Sequence, residues 1–568
     1  MGIPAFFGIY INELNNKSEK KFLITRQDVQ QSNVDIDILN IDMNSMLHGA
    51  LQYAFGYGSG LDMREELLNL SDGMLKRRFE EQIRSEIQTL YDVYKPSVIY
   101  ISVDGGPPLP KLKQQRERRY RSLIESEVDK FPFSAQGITG FLLTPGSWLM
   151  EWITINLPEI IESIGLEGVD IYIDGSNNIG EGEQKFMNTH HGREMARDAI
   201  TVVNGADADL ILMMLTRGIG YIDRGIEDMV VIDIEALFDV ISERFPIFDF
   251  IFMVMLLGND FVPPLPMMED VRRNFEKALN VYDEIRKEKP DFRLVVTGEL
   301  NDFDLDPDGT RGIVNKGIQE NILYFFKQLS RYERSAMATL SRTILKTDHL
   351  LVDNLHQLNR IWYGRILSAP NPPGKTPLKE IRKVNNDYIR ALMWTFRYLA
   401  VGQFINTDEG DYNILDMSFT YPYEYAPLAS GLTMNDDSVD LYDPMLFQYD
   451  DMKEGEDILD ETIEITNPFT STILSFPETL GRNRVVSPIF TWIYDLKSVD
   501  KWRDQLFPET VIEDTMTVFR DYTSKIFIPK IPIDFINEFQ DEFEREIQKK
   551  PDSLAYYNNL YKSGILKI

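Results

Sequence analysis

Five short apolar, β-branched runs, VDIDILNI, SVIYISV, GVDIYI, AITVVN and MVVIDI, mark out roughly the first 270 residues, each separated from the next by a segment able to form a helix. Strands alternating with helical segments predict an α/β fold built on a doubly wound, mostly parallel sheet. In such sheets ligands gather beyond the carboxyl ends of the strands. Acids stand at or near those ends: Asp42 in ILNIDMN, Asp104 in VIYISVDGG, Glu181 and Glu183 in GEGEQK, Asp207 and Asp209 in GADADL, and Asp260 in LLGNDF.

Taken singly, each acid has an ordinary explanation. GADADL reads as a strand-to-helix turn with an Asp capping the next helix, GEGEQK as a glycine-rich turn, and LLGNDF as a helix end at Gly258. Joint occurrence in five separate segments argues otherwise. Acids at i and i+2 do not share a helix face, so these pairs fit loops or helix starts that converge on a cation. Two divalent ions about 4 Å apart are the usual apparatus for in-line attack on a phosphodiester, so the pattern points to nuclease chemistry.

The chain contains no cysteine and only five histidines, which excludes thiolate catalysis, zinc–thiolate sites and disulfides and disfavours an all-histidine metal site. A metal here is held by oxygen, which favours Mg2+ or Mn2+. The formal net charge of −31 argues at first against a nucleic-acid partner, but net charge describes the long-range field and not a local pocket. Positive charge is concentrated once, in KLKQQRERRYR at residues 111–121, with six cations against one glutamate. At helical spacing Lys111, Gln115, Arg118 and Arg119 fall on one face, and Pro107, Pro108 and Pro110 allow a helix to start near Lys111. The bland reading is a solvated basic face. The stretch nevertheless begins seven residues after Asp104, where donors on one face are able to grip a terminal phosphate.

At 568 residues the chain exceeds one compact core and fits two to four domains. The expected division is a metal-dependent nuclease core at 1–270, a helical region at 271–400 that completes the cleft, and a mixed α/β segment at 401–568. The acidic stretches GELNDFDLDPDGTRG and those at about 430–465 read as solvated loops, and FINEFQDEFEREIQKK as an amphipathic helix. The longest apolar run, IFMVMLLG, is too short to span a membrane, and MGIPAFFGIY lacks the features of a secretory signal. The expectation is an intracellular, cytoplasmic protein that does not bind membranes.

The blocks MGIPAFF, DMNSMLH, DGGPPLPKLKQQRERRYRS, TPGSWLM, GEGEQKFM, GADADLILM and GNDFVPPLP, in this order, resemble the conserved blocks of the XRN family of 5′→3′ exoribonucleases. YIRALMWTFRYL and YPYEYAPLAS resemble that family's second conserved region. The resemblance implies a PIN/FEN-like nuclease core in which Asp42, Asp104, Glu181, Glu183, Asp207, Asp209 and Asp260 bind two Mg2+ (or Mn2+) ions. It implies that Lys111, Gln115, Arg118 and Arg119 form a pocket for a 5′-monophosphate, and that His48 stacks on or braces the terminal nucleotide. Trp394 is a candidate for base stacking, although an aromatic in such a helix is more often core. The implied activity is processive degradation of single-stranded, 5′-monophosphorylated RNA to mononucleotides. A protein partner, engaged through the acidic loops or the C-terminal segment, is a further expectation. Gln184 departs from the family pattern, which has His before the lysine. Two other readings stay open: a flap- or PIN-type nuclease acting on DNA or structured substrates, and a catalytically idle nuclease-derived scaffold or virion structural protein. Seven intact acids speak against the idle scaffold, because unpaired clustered acids destabilise a fold without their metals.

Overall fold

The computed structural model describes the chain except for residues 1–2, 4–5, 57–65, 127–137, 189–191, 193–194, 197–198, 226–229, 270, 296–319, 334–354, 369–376, 402–403, 408–409, 414, 434–466, 515–524 and 562–563. The acidic stretch GELNDFDLDPDGTRG and nearly all of the acidic loops at 430–465 lie outside the described residues.

The strands are β1 (Leu23–Ile24), β2 (Ile38–Asp42), β3 (Val98–Ser102), β4 (Asp170–Asp174), β5 (Thr201–Asn204), β6 (Tyr221–Asp223), β7 (Val231–Asp233), β8 (Phe404–Thr407), β9 (Gly410–Asn413), β10 (Ile512–Asp514), β11 (Lys525–Phe527) and β12 (Leu566–Lys567). Eight of them form one sheet in the order β1-β7-β6-β5-β2-β3-β4-β12. Its middle five, β6 through β4, run parallel, while β1, β7 and β12 are antiparallel additions at the two edges. The expected doubly wound, mostly parallel sheet is therefore present. MVVIDI runs against the parallel strands, because β7 folds back on β6, a three-residue strand that the sequence patterns did not reveal.

Parallel pairing with no stagger aligns the strand ends. Asp42 is level with Ser102, and Ser102 with Asp174. Chain order runs outward from β2 through β3 to β4, then restarts on the other side with β5 and β6. The gap between β2 and β5 is the topological switch point, where the loops diverge and leave a crevice.

Alternation along the strands feeds two cores. Leu39, Ile41, Ile99, Ile101 and Val202 face one core, filled by the helices Met43–Phe55, Asp72–Tyr94 and Trp148–Glu162. Ile38, Tyr100 and Val203 face the other, filled by Asp209–Arg217, Ile234–Ser242, Ile247–Met255, Val271–Glu288 and Leu378–Phe396. A third core joins Leu109 and Leu112 to Phe469, Phe490, Phe535, Phe539 and Phe543. Three of those phenylalanines form the apolar stripe of the helix Ile533–Ile547, at the four-residue spacing of an amphipathic helix. The segments that carry these phenylalanines thereby pack against the back of the basic helix, and β12 then returns to the outer edge of β4.

Candidate active site

Asp42 ends β2 and caps the helix Met43–Phe55, accepting a hydrogen bond from the Asn44 backbone N–H at 3.2 Å. Asp104 lies two residues past β3. It accepts from Asn44 Nδ2 at 2.5 Å and from the Gly182 N–H at 2.7 Å. Gly182 leaves room for these carboxylates: a Cβ there would stand 3.2 Å from Asp42 Oδ1 and 3.4 Å from Asp104 Oδ1 and would crowd them. The next residue, Glu183, brings a third carboxylate, and one oxygen each of Asp42, Asp104 and Glu183 lie within 4.8 Å of one another.

Asp207 follows β5, and its Oδ1 accepts from the Asp209 N–H at 3.3 Å at the start of the helix Asp209–Arg217. Asp209 is 3% exposed, and among the described residues its Oδ1 has no hydrogen-bond partner. Asp260 follows a sharp turn at Gly258, whose φ of +80° lies in the left-handed region that suits glycine.

One cation ties the acids together. Lys111 Nζ lies 2.6 Å from Glu181 Oε1 and 2.8 Å from Asp260 Oδ2. Burial opposes its charge, but Asp260 and then Glu181 outweigh that and hold its pKa well above the ordinary lysine value. The same lysine keeps the Asp260 carboxyl below its usual range despite burial. It does not suffice for the rest. Burial and then Asp104 and Asp207 push Asp42 up to about 7. Burial raises Glu183 strongly, with Glu181 adding to it, and raises Asp209 strongly, with Asp207 adding to it. Burial also raises Glu181, against the pull of Lys111. Acids that resist ionisation for want of nearby positive charge are what a divalent cation relieves. The orphaned Asp209 oxygen and the all-oxygen donor set fit a hard cation of the Mg2+ or Mn2+ type.

The basic stretch forms the helix Leu109–Ser126 as expected, but its four candidate side chains part company. Lys111 turns into the carboxylates. Arg118 lies where its charge acts on both His48 and Asp260. Gln115 Oε1 is buried without a partner among the described residues. Arg119, 3% exposed, donates to Thr144 Oγ1 and stacks over the Phe476 ring at 4.4 Å, while its Nε and Nη1 stay buried and unpartnered among the described residues. Arg116, on the opposite side, donates to the Gln505 and Leu506 carbonyls at 2.7 and 3.0 Å and serves the packing of the later segments.

His48 is exposed one turn along the capped helix, on the wall of a cavity of about 480 Å3 that also touches Ser45, Gln52, Asn204 and Gly205. Trp394 sits in the core at 6% exposure. Its indole donates to the Asp416 carbonyl at 2.7 Å and stacks on Tyr398 with ring centroids 5.1 Å apart. Tyr398 thus covers one face of the indole, and the low exposure accords with the core alternative for this tryptophan.

Three positioning residues escaped the sequence reading. Asn44 clamps Asp104 from the turn after Asp42. Tyr398 donates to Glu181 Oε2 at 2.7 Å. Lys185, 1% exposed, donates to the Val103 and Gly175 carbonyls at 2.7 and 2.6 Å and so fixes the chain on either side of the acids. Asn44 stands in the DMNSMLH block, and its place two residues after a candidate ligand was the available signal.

Fold and site together define an α/β protein of the PIN-like nuclease architecture, with a cation-seeking carboxylate cluster at the switch point of its sheet. Residues 1–222 match the family model described as XRN 5′-3′ exonuclease N-terminus. Over 341 residues the chain is 26% identical to 5′-3′ exoribonuclease 1 of Saccharomyces cerevisiae, covering 50% of this chain and 21% of that protein. The corresponding Homo sapiens protein is 26% identical over 321 residues, 47% of this chain and 18% of that protein. 5′-3′ exoribonuclease 2 of Gallus gallus is 24% identical over 265 residues, 38% of this chain and 25% of that protein. The matched part spans about a fifth of the first two relatives' length. Residues 1–222 are thus an N-terminal region of the XRN type.

Proposed function

We propose that this chain is a divalent-metal-dependent 5′→3′ exoribonuclease that removes mononucleotides processively from single-stranded RNA bearing a 5′-monophosphate. The observation that carries this reading is the convergence of Asp42, Asp104 and Glu183 within 4.8 Å, beside a basic helix whose Lys111 pairs with the neighbouring acids Glu181 and Asp260. The relatives' names supply the reaction and the RNA substrate.

In this reading Asp42, Asp104 and Glu183 would hold one Mg2+ or Mn2+, and Asp207, Asp209 and Asp260, with Glu181, would serve a second. Bound there, such ions activate water and stabilise the leaving oxygen of an in-line displacement. Lys111 keeps the cluster folded when the ions are absent and presents its charge toward the scissile end of the substrate. Arg118 and Arg119, with the Gln115 amide N–H, supply the donors that receive the 5′-phosphate. The unpartnered nitrogens of Arg119 support that role. His48, exposed on the cavity wall, braces the terminal nucleotide. Residues 1–270 form the nuclease core, 271–400 complete the cleft, and 401–568 buttress the basic helix.

The test is a substrate panel. RNA with 5′-monophosphate, 5′-triphosphate or 5′-hydroxyl ends, and matching DNA, is incubated with Mg2+ or EDTA. Mg2+-dependent loss of the 5′-monophosphate RNA alone is expected, and equal loss of the DNA would replace this reading with a flap- or PIN-type one. Arg118→Ala is expected to reduce the preference for a 5′-monophosphate by about 10- to 100-fold, the worth of one charge-assisted hydrogen bond.

A further inference from the structure

The loop that delivers Glu181 and Glu183 is pinned from an unexpected direction. It leaves β4 at Asp174, and Asn178 at its tip is held by its side-chain amide. Asn178 Nδ2 donates to Asp174 Oδ1 at 2.7 Å and to the Gly564 carbonyl at 3.2 Å, while Oδ1 accepts from the Gly564 N–H at 2.9 Å. The side chain thus pairs with the backbone of residue 564 as one more rung of a strand ladder.

Just beyond Gly564, β12 docks along β4. Leu566 pairs with Ile173 and Lys567 with Tyr172, and the Ile568 N–H donates to the Ile171 carbonyl at 2.9 Å. Lys567 Nζ adds an ion pair to Asp170 at 3.0 Å.

On its inner side the same loop rests on the segment that carries Asp104. A Cβ on Gly105 would come within 1.6 Å of the Asn178 carbonyl oxygen, so the two backbones touch. The Gly105 N–H donates to the Gly180 carbonyl and the Gly180 N–H to the Gly106 carbonyl, both at 2.9 Å. Any shift of residue 178 is therefore passed to Gly180 and from there to Glu181, Gly182 and Glu183, against Asp104.

From this chain of contacts we infer that Asn178 is a positioning residue for the metal ligands, and that residues 564–568, far away in sequence, are the strut against which it works. The inference rests on the metal-site reading given above. Outer partners that orient ligands typically cost 10- to 100-fold in metal affinity when removed.

The test measures Mn2+ binding directly, as loss of the free-ion electron paramagnetic resonance signal on titration, with no substrate present. Asn178→Ala in the full chain is expected to weaken binding about tenfold. Asn178→Asp keeps the shape and the acceptor for the Gly564 N–H but loses both donated bonds, and is expected to weaken Mn2+ binding similarly. Lys567→Ala, which removes the exposed side-chain contacts to Asp170 and the Tyr172 ring but leaves the backbone pairing of β12 with β4 and every bond of Asn178 in place, should retain wild-type affinity. If both Asn178 variants bind Mn2+ as the wild type does and only melt earlier, the strut is merely structural and the inference fails. If the wild type itself takes up no Mn2+, the metal-site reading fails, and this inference with it.

Discussion

Two kinds of buried acid sit side by side at the ends of these strands. Asp223, the last residue of β6, has a fully buried side chain, yet Arg26 reaches it through Nε and Nη2 at 2.7 and 3.0 Å. Tyr94 OH donates to it at 2.7 Å and the Gly225 N–H at 2.9 Å. Asp209, beyond the neighbouring β5, is buried as well, yet keeps an oxygen with no partner among the described residues. Burial raises its pKa strongly, and the charges of Asp207 and then Asp260 add to that. The first arrangement is complete: burial is offset by donors, and the carboxylate is a structural part. The second is incomplete among the described residues, and is the kind of arrangement that a cation would complete. Burial therefore does not distinguish a functional acid from a structural one; the supply of donors does.

The largest expected break in this comparison is chemical. Asp209→Asn should cut turnover by a factor on the order of 10^3 or more, since a metal's charge stabilisation is worth several kcal/mol, while the metal-free protein melts no earlier than the wild type. Turnover within tenfold of wild type would remove Asp209 from the site. The converse change is next. Arg26→Ala should cost about 3–5 kcal/mol of stability in denaturant unfolding, because it strands Asp223 without its charge partner, while Mn2+ affinity of the folded molecules is retained. A loss below about 1 kcal/mol, no more than an exposed pair gives, would show that Asp223 is not the completed acid described.

The smallest effect is a pH dependence. Asp42, held near 7 when folded against an ordinary value of about 4, binds its proton more tightly in the folded state. Its stabilising contribution is therefore full below about pH 4 and is lost as pH rises through about 7. The melting temperature of the metal-free protein should fall across that window, and Mg2+ or Mn2+ added above pH 7 should restore it. Asp249, raised to about 6 by burial, and Glu151, raised to about 7 by burial, act in the same direction. Asp42→Asn isolates the site's share by flattening the fall only in part. A slope unchanged by Asp42→Asn would contradict the electrostatics drawn here.

Much of the fold was legible because β-branched runs and helical periodicity are local signals. β6 escaped because three residues are too few to establish a pattern, and β7 was read without its direction because direction depends on the partner strand. Within the basic helix, spacing correctly put Lys111, Gln115, Arg118 and Arg119 on one side. It did not show that Lys111 would turn to Glu181 and Asp260 while Arg119 turned to Thr144 and Phe476. Long side chains choose partners by charge and desolvation, over a radius that helical spacing does not describe. Trp394 belongs to the same lesson, since its helix alone did not reveal that Tyr398 covers one of its faces.

The sequence by itself determined the alternation that builds the sheet, the acids at its strand ends and the one concentration of positive charge. Only the tertiary structure decided which acids meet, which of them lack a partner, and which residues hold them: Asn44 for Asp104, Tyr398 for Glu181, and Gly564 for the loop at Asn178. The physical reason is reach. Propensity and periodicity act over a few residues, whereas these contacts close gaps of 60, 217 and 386 residues, and only the packed cores bring such pairs within hydrogen-bonding distance.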